Sequence, residues 1–186
     1  MTIQLHGSFL EVHGLGVLLR GPSGIGKSET ALELVARGHR LVADDLVRLD
    51  LEAAPYRNQP GWLVGTAPDL IRHHIEIRGL GILKIPELYG PGSVRDRCRL
   101  DLVCHFESWR GPDQYERVGL QREEDEFLGV RVPKVTLPAR TVANLATLVD
   151  VAVRDHANRR AGEISVRSLD QRIKRTVSRS PRKAGS

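Results

Sequence analysis

An α/β fold, a mixed sheet flanked by helices, is what this sequence predicts. Three observations carry that expectation. The apolar run at residues 15–20 feeds through a glycine-rich segment into a stretch of strong helix formers, which is the order strand, loop, helix. Short apolar runs of strand length recur along the chain, and a helical periodicity follows at residues 141–161. A length of 186 residues with 40% hydrophobic and 27% charged side chains suits one compact domain with a short appendage, and excludes a disordered chain. The expected organisation is a domain over residues 1–162, an amphipathic helix over 163–178 and a disordered basic tail over 179–186.

Each element has a local cause. Residues 3–12 read as one imperfect strand interrupted by Gly7, and Gly14 and Gly16 punctuate the chain just beyond it. Residues 15–20 are nearly all apolar, as a strand covered on both faces must be. The helix over 28–37 (SETALELVAR) turns Ala31, Leu32, Leu34 and Val35 to one side, and Gly38 sits where a helix end favours a left-handed residue. Residues 41–43 form the next strand, expected beside the first, and Asp44 and Asp45 stop it before a further strand at 47–51. The Pro-, Gly- and Asn-rich stretch 55–68 predicts a loop or loose hairpin, and 69–74 a single helical turn. Residues 75–85 (IEIRGLGILKI) begin with alternation and carry two glycines, which suggests one strand, bent or bulged. Residues 100–106 and 134–137 are strands, with the acidic run 123–126 a solvated turn. A helix capped by Thr141 or Asn144 places Leu145, Leu148, Val149, Ala152 and Val153 at helical spacing and ends at Gly162. The last stripe, Val166, Leu169, Ile173 and Val177, belongs to a helix that needs a partner surface.

Composition excludes several function classes. No run approaches the roughly eighteen apolar residues of a membrane helix. The start, MTIQLHGS, lacks both the basic and the apolar part of a secretion signal, so a cytoplasmic protein without membrane contact is expected. The net charge of +5 comes from 28 Lys and Arg against 23 Asp and Glu, but nine of the basic residues crowd into residues 157–186 against only Glu163 and Asp170. The remainder is slightly acidic, and the basic end has no aromatic side chain on which a base could stack, which argues against nucleic acid as a partner. Cys98 and Cys104 lie in a strand-like stretch without metal-ligand spacing and read as reduced thiols. His39, His73, His74 and His105 show no zinc spacing and read as ordinary surface residues.

The chemistry is concentrated in GPSGIGKS, residues 21–28, which fits G-x-x-x-x-G-K-[ST] in the strand-to-helix setting that this pattern needs. Gly21, Pro22, Ser23, Gly24, Ile25 and Gly26 make a loop whose backbone N–H groups can converge on a phosphate, and the helix N-terminus adds partial positive charge. Lys27 can reach the terminal phosphates of a nucleotide, and the Ser28 hydroxyl is a ligand type for Mg²⁺. Asp44 ends a strand at the edge where such sheets gather ligands. A carboxylate there can hold Mg²⁺ or take the proton of an incoming hydroxyl; a plain strand-ending turn is the other reading. Successive residues of an extended chain point opposite ways, so only one of Asp44 and Asp45 is expected to face the phosphates. Glu76 and Arg78, two apart, would share a strand face, either as a metal-binding carboxylate beside a phosphate-binding guanidinium or as a cross-strand ion pair. His6 and Arg117 carry no local signature and read as surface residues.

Together, the His-Gly pair at 6–7, LGVLLRGPSGIGKSETALELVARGHRLVADD, IEIRGLGIL, the YER at 115–117 and VPKVTLP resemble the catalytic domain of bacterial HPr kinase/phosphorylase, over residues 3–161. The match is far longer than a generic phosphate loop. The resemblance implies a phosphate-loop protein-serine kinase that uses ATP and Mg²⁺ to phosphorylate a serine of HPr, the phosphocarrier of the sugar phosphotransferase system. It also implies, as in many members, removal of that phosphate by phosphorolysis. His6 matches the family's catalytic histidine, Lys27 the loop lysine, Asp44 the residue that is base in one direction and acid in the other, and Arg117 the catalytic arginine. Ser28 and Glu76 match the magnesium ligands. A homo-oligomer, hexameric by family resemblance, is implied as well, and the stripe from Val166 to Val177 would suit a subunit or substrate interface.

Two departures shape the expectation. Members typically carry a separate N-terminal domain, so this chain resembles the short forms that lack it. The family's segment close to PVRPGRNLA reads PARTVANLA at residues 138–146, keeping Arg140 and Asn144 but placing Val142 and Ala143 where the family has Gly-Arg. That segment is tied to phosphorolysis in the family, so the kinase direction is expected to be the stronger. The alternatives are a phosphate-loop kinase or phosphatase acting on another substrate and, from another class, a non-catalytic nucleotide-binding sensor that signals through its basic C-terminal helix.

Overall fold

A computed structural model describes residues 1–53, 61–111, 122–139 and 144–162. The first apolar stretch makes two strands where one was expected, β1 (Thr2–His6) and β2 (Ser8–Val12). They divide at Gly7, whose N–H donates to the Asp45 carbonyl at 3.1 Å and where a Cβ would come within 2.6 Å of the Leu19 carbonyl oxygen. Beyond that point β2 forms a hairpin with β3 (Leu15–Arg20), the predicted buried strand. Helix α1 (Lys27–Ala36) comes next, and Gly38 adopts the left-handed conformation just past its end, φ +94°.

β4 (Arg40–Ala43) was expected next to β3 and is not. β2 lies between them, antiparallel to both, because the local hairpin claims the edge of β3 first. β3 and β4 are therefore parallel at one remove, and their C-terminal ends still open on the same edge of the sheet. β5 (Leu46–Glu52) turns away to pair with β1 and with β6 (Trp62–Thr66). That second pairing joins β5 and β6 as the antiparallel arms of a hairpin, the looser of the two readings of the Pro- and Gly-rich stretch, and residues 54–60 between them lie outside the described residues.

A single 3-10 turn, Asp69–Ile71, precedes β7 (His74–Ile77) and β8 (Gly81–Lys84). These form a separate two-stranded hairpin in place of one bent strand, since Gly79 and Gly81, at φ +88° and +85°, reverse the chain between them. A short helix that the sequence did not announce, α2 (Ile85–Tyr89), comes after it with Pro86 in its first turn.

β9 (Arg97–Ser108), longer than expected, is the spine of the sheet. It runs parallel to β3 on one edge, and on the other meets β6 near its start and β11 (Val130–Ala139) near its end. β10 (Glu123–Phe127) is a strand where the acidic run suggested a solvated turn. It pairs antiparallel with β11, and Lys134 there reaches both Glu123 and Asp125, at 3.0 and 3.2 Å, so cross-strand charge offsets the acidic run. Among the described residues the main sheet has the order β1-β5-β6-β9-β3-β2-β4, with β11 and β10 attached at β9.

α3 (Leu145–Arg160) is capped by Asn144, whose side-chain oxygen accepts the Thr147 N–H at 2.8 Å. Thr141, the alternative cap, lies outside the described residues, as do the helix expected over 163–178 and the tail at 179–186. The two faces of β3 explain its continuous apolar character. Val17 and Leu19 pack with Leu34 and Val35 of α1 and with Val149 and Val153 of α3. Leu18 faces a second core with Phe9, Val42, Leu49, Leu63, Val103 and Phe127, where the curled sheet covers itself. Cys98 and Cys104 are buried free thiols, pushed up to about 11 and about 12 by desolvation, as reduced packing residues should be.

The second core rests on one tight contact. Phe9 lies over Gly65 of β6, where a Cβ would fall 2.2 Å from the ring. Gly65→Ala should therefore destabilise the fold by about 1–3 kcal/mol, the usual range for overpacking a core. Phe9→Leu introduced alongside should recover part of that loss, so that in urea unfolding the double variant lies above the sum of the two single changes.

Candidate active site

The loop at residues 21–26 joins the C-terminal end of β3 to α1, and its glycines are there for geometry. At Gly21 a Cβ would sit 2.5 Å from the Phe106 carbonyl oxygen, so only glycine lets the loop leave β3 this close to β9. Gly26 occupies the N-cap of α1 at φ +102°, and no side chain caps the helix. The N–H groups of its first turn are thus left to an anion, with the helix dipole behind them. Within the loop the Ile25 N–H donates to the Pro22 carbonyl at 3.4 Å.

Lys27 is buried, and its ammonium donates to the carbonyl oxygens of Gly21 at 3.0 Å and Pro22 at 2.9 Å. Two of its three N–H bonds are used in holding the side chain across its own loop, and one remains for a phosphate oxygen. Burial holds its pKa below the usual lysine value, opposed by the carboxylates of Asp44 and Asp45.

Asp44 is 3% exposed, deep beside the loop. Its carboxylate accepts the Ser8 hydroxyl at 2.5 Å and the Ser28 hydroxyl at 2.9 and 3.1 Å, together with the backbone N–H groups of Glu76 and Asp45. Desolvation raises its pKa above the ordinary carboxylate value, and these hydrogen bonds limit the rise. Asp45 turns outward, as expected of one of the pair, though not by strand alternation. β4 ends at Ala43, and Asp45 adopts a left-handed conformation, φ +65°. Its carbonyl and its carboxylate both face His6 Nδ1, at 3.0 and 3.1 Å. His6 thus stands at the mouth of the site with Nδ1 engaged.

Glu76 and Arg78 reach the same cleft from the β7–β8 hairpin, but not as two residues on one strand face. Arg78 lies in the turn after β7, with its guanidinium 3.3 Å from where a Cβ of Gly24 would be. Glu76 has Ile82 as its cross-strand partner, which removes the cross-strand ion-pair reading. The result is a cleft of about 210 Å³ in which His6, Ser23, Lys27, Ser28, Asp44, Glu76 and Arg78 converge. Two cations and the α1 N-terminus suit a phosphate chain. The oxygen donors of Ser28, Asp44 and Glu76 suit a hard divalent cation such as Mg²⁺. Arg117, Arg140, Val142 and Ala143 lie outside the described residues.

Ser8 is the member that sequence reasoning passed over. Its one signal was a polar residue within an apolar strand; its partner lies 36 positions away in the chain.

The family model of the HPr serine kinase C-terminal domain matches residues 1–173. The chain is 46% identical over 175 residues to an HPr kinase/phosphorylase of Thermoanaerobacter pseudethanolicus, covering 94% of this chain and 55% of that protein. It is 47% identical to that of Caldanaerobacter subterraneus subsp. tengcongensis, with the same coverage, and 45% identical over 172 residues to that of Geobacillus kaustophilus, covering 92% and 53%. The chain therefore spans about half the length of these relatives. The solved Hpr(Ser) kinase/phosphatase from Coxiella burnetii superposes with a TM-score of 0.75 at 30% identity, covering 90% of this chain and 98% of that one.

Because Asp44 holds its proton more tightly when folded than unfolded, its contribution to stability is present below the ordinary carboxylate range and lost as pH rises through the folded-state value. Asp44→Asn should accordingly be at least as stable as the unmodified chain at neutral pH in thermal unfolding. The Asp44 carboxyl should titrate above the ordinary carboxylate value by carbon-13 NMR. Ser8→Ala, by removing a hydrogen bond to the charged form, should move that titration further up.

Proposed function

The chain belongs to the HPr serine kinase C-terminal domain family, and on that premise we propose that it is a serine kinase that transfers the γ-phosphoryl group of ATP to HPr. The observation that carries this reading is a buried carboxylate, Asp44, hydrogen bonded to Ser28 of the phosphate loop in a cleft that holds two cations and an uncapped helix N-terminus. A carboxylate of raised pKa beside the terminal phosphate is suited to take the proton of an attacking hydroxyl and to return it in the reverse direction.

In the proposed reaction the serine oxygen forms its bond to the γ-phosphorus as the bond to the β-γ bridging oxygen breaks, the serine proton passes to Asp44, and ADP leaves. Lys27 and the loop N–H groups hold the β- and γ-phosphates, and Arg78 adds charge over Gly24. His6, with Nδ1 engaged by Asp45, has Nε2 for the transferring group. Ser28 and Glu76 would hold Mg²⁺, which neutralises phosphate charge when bound. Arg117 enters the proposal by family resemblance, as does a homo-oligomer, hexameric in the family. Among the described residues no helix is long and apolar enough to cross a membrane.

Lys27→Ala and Asp44→Asn should each lower transfer from labelled ATP to HPr of the same organism by about a hundredfold or more while the fold persists. Asp45→Asn should cost far less, since its carboxylate faces His6 at the cleft mouth. Wild-type chain that binds ATP without phosphorylating HPr would point instead to another substrate or to a non-catalytic sensor.

We also propose that the kinase direction outweighs phosphorolysis. Val142 and Ala143 stand where the family has a glycine and an arginine, and a branched side chain followed by an uncharged one serves a phosphate dianion poorly. Pyrophosphate release from serine-phosphorylated HPr in excess phosphate should be weak. The double variant Val142→Gly, Ala143→Arg should raise it preferentially; robust release by the unmodified chain would contradict the proposal.

A further inference from the structure

At the other end of β2 and β3 from the phosphate loop, side chains from three elements converge. His13 stands in the turn between β2 and β3 in a left-handed conformation, φ +51°, His39 in the connection from α1 to β4, and Asp150 on α3. His13 Nε2 is 2.5 Å from Asp150 Oδ1, and His39 Nε2 is 3.8 Å from the same oxygen. The two imidazoles meet edge to face with centroids 4.6 Å apart. One ligand atom from each residue lies within 4.8 Å of the other two, and no other group of three His, Cys, Asp or Glu among the described residues does this.

We propose that His13, His39 and Asp150 form a binding site for a divalent transition-metal ion of the zinc class, separate from the phosphate cleft. Around such an ion, bonded at about 2.1 Å, tetrahedral ligand atoms stand about 3.4 Å apart. The contact of His13 with Asp150 has to open, and that of His39 to close, each by less than about 1 Å. His13 is exposed and has room for this. The carboxylate is already oriented for the purpose. Its other oxygen, Oδ2, accepts Arg154 Nε at 2.9 Å, which leaves Oδ1 turned to the histidines as an outer hydrogen bond does at metal sites.

The donor set also sets the metal class. Two imidazoles and one carboxylate suit Zn²⁺, Ni²⁺ or Cu²⁺ and serve Mg²⁺ badly. Bound metal would tie the β2–β3 turn and the α1–β4 connection to α3. β2 and α1 are the elements whose far ends carry Ser8 and Lys27. From Ser8 to His13 is about 17 Å along a strand, so the ion would brace the scaffold and not enter the chemistry.

The site stands whether or not the kinase reading does, and its test reads metal binding. Untagged full chain is titrated with Zn²⁺ against a chromogenic chelator, with Mg²⁺ and a non-hydrolysable ATP analogue saturating the phosphate cleft. One equivalent should bind, and His39→Ala, His13→Ala and Asp150→Asn should each weaken it by about tenfold or more. Co²⁺ added to the unmodified chain should give the visible absorption of an imidazole-bound ion, a readout that needs no variant to fold. Absence of Zn²⁺ binding, binding undiminished in a folded His13→Ala, His39→Ala double variant, or the spectrum of aqueous Co²⁺ would overturn the proposal.

Discussion

The site is organised around a charge that has been taken out of water. A buried carboxylate is costly unless donors surround it, and those that surround Asp44 come from separate parts of the chain: the Ser8 hydroxyl at the start of β2, the Ser28 hydroxyl at the start of α1, and the Glu76 N–H in the β7–β8 hairpin. The need for those donors draws the three elements to one point. The glycine-rich loop at residues 21–26, which leads into Ser28, and the side chain of Glu76 arrive there with them.

The sheet makes this meeting geometrically available. β2 between β3 and β4 is antiparallel to both, so its first residues lie at the edge where β3 and β4 end. Ser8 therefore stands beside Asp44, and the turn at the opposite end of β2 carries His13. One five-residue strand thus links the cleft to the His13, His39 and Asp150 cluster. Gly7 permits this placement, because the approach of the Leu19 carbonyl leaves no room for a side chain where β1 departs from β2.

Charge takes part in the fold as well as in the site. β10 would be a poor strand by composition, four of its five residues being acidic. It forms because β11 brings Lys134 and Arg131 opposite. Likewise Asp45 tolerates a left-handed backbone while its carbonyl and carboxylate meet Gly7 and His6. In both places a locally unfavourable residue is stabilised by partners remote in sequence.

Much of the local structure was legible in the residues alone. The glycine-rich turn at residues 21–26, β3, α1, the Asn144 cap and the buried free cysteines each arise from a short pattern whose physics is local: backbone freedom at glycine, helical periodicity, a side-chain oxygen at a helix start, the apolar surroundings of a thiol. Family likeness, too, lay in contiguous runs. The tertiary structure decided what depends on pairing across distance: β2 rather than β4 beside β3, a hairpin at residues 74–84, a strand at the acidic run, Ser8 against Asp44, and His13 with His39 and Asp150. Spacing along a chain specifies which way a side chain points within one element, but which elements become neighbours is set by the summed packing of the whole sheet. A residue whose partner stands 36 or 137 positions away carries no sign of it in its own surroundings.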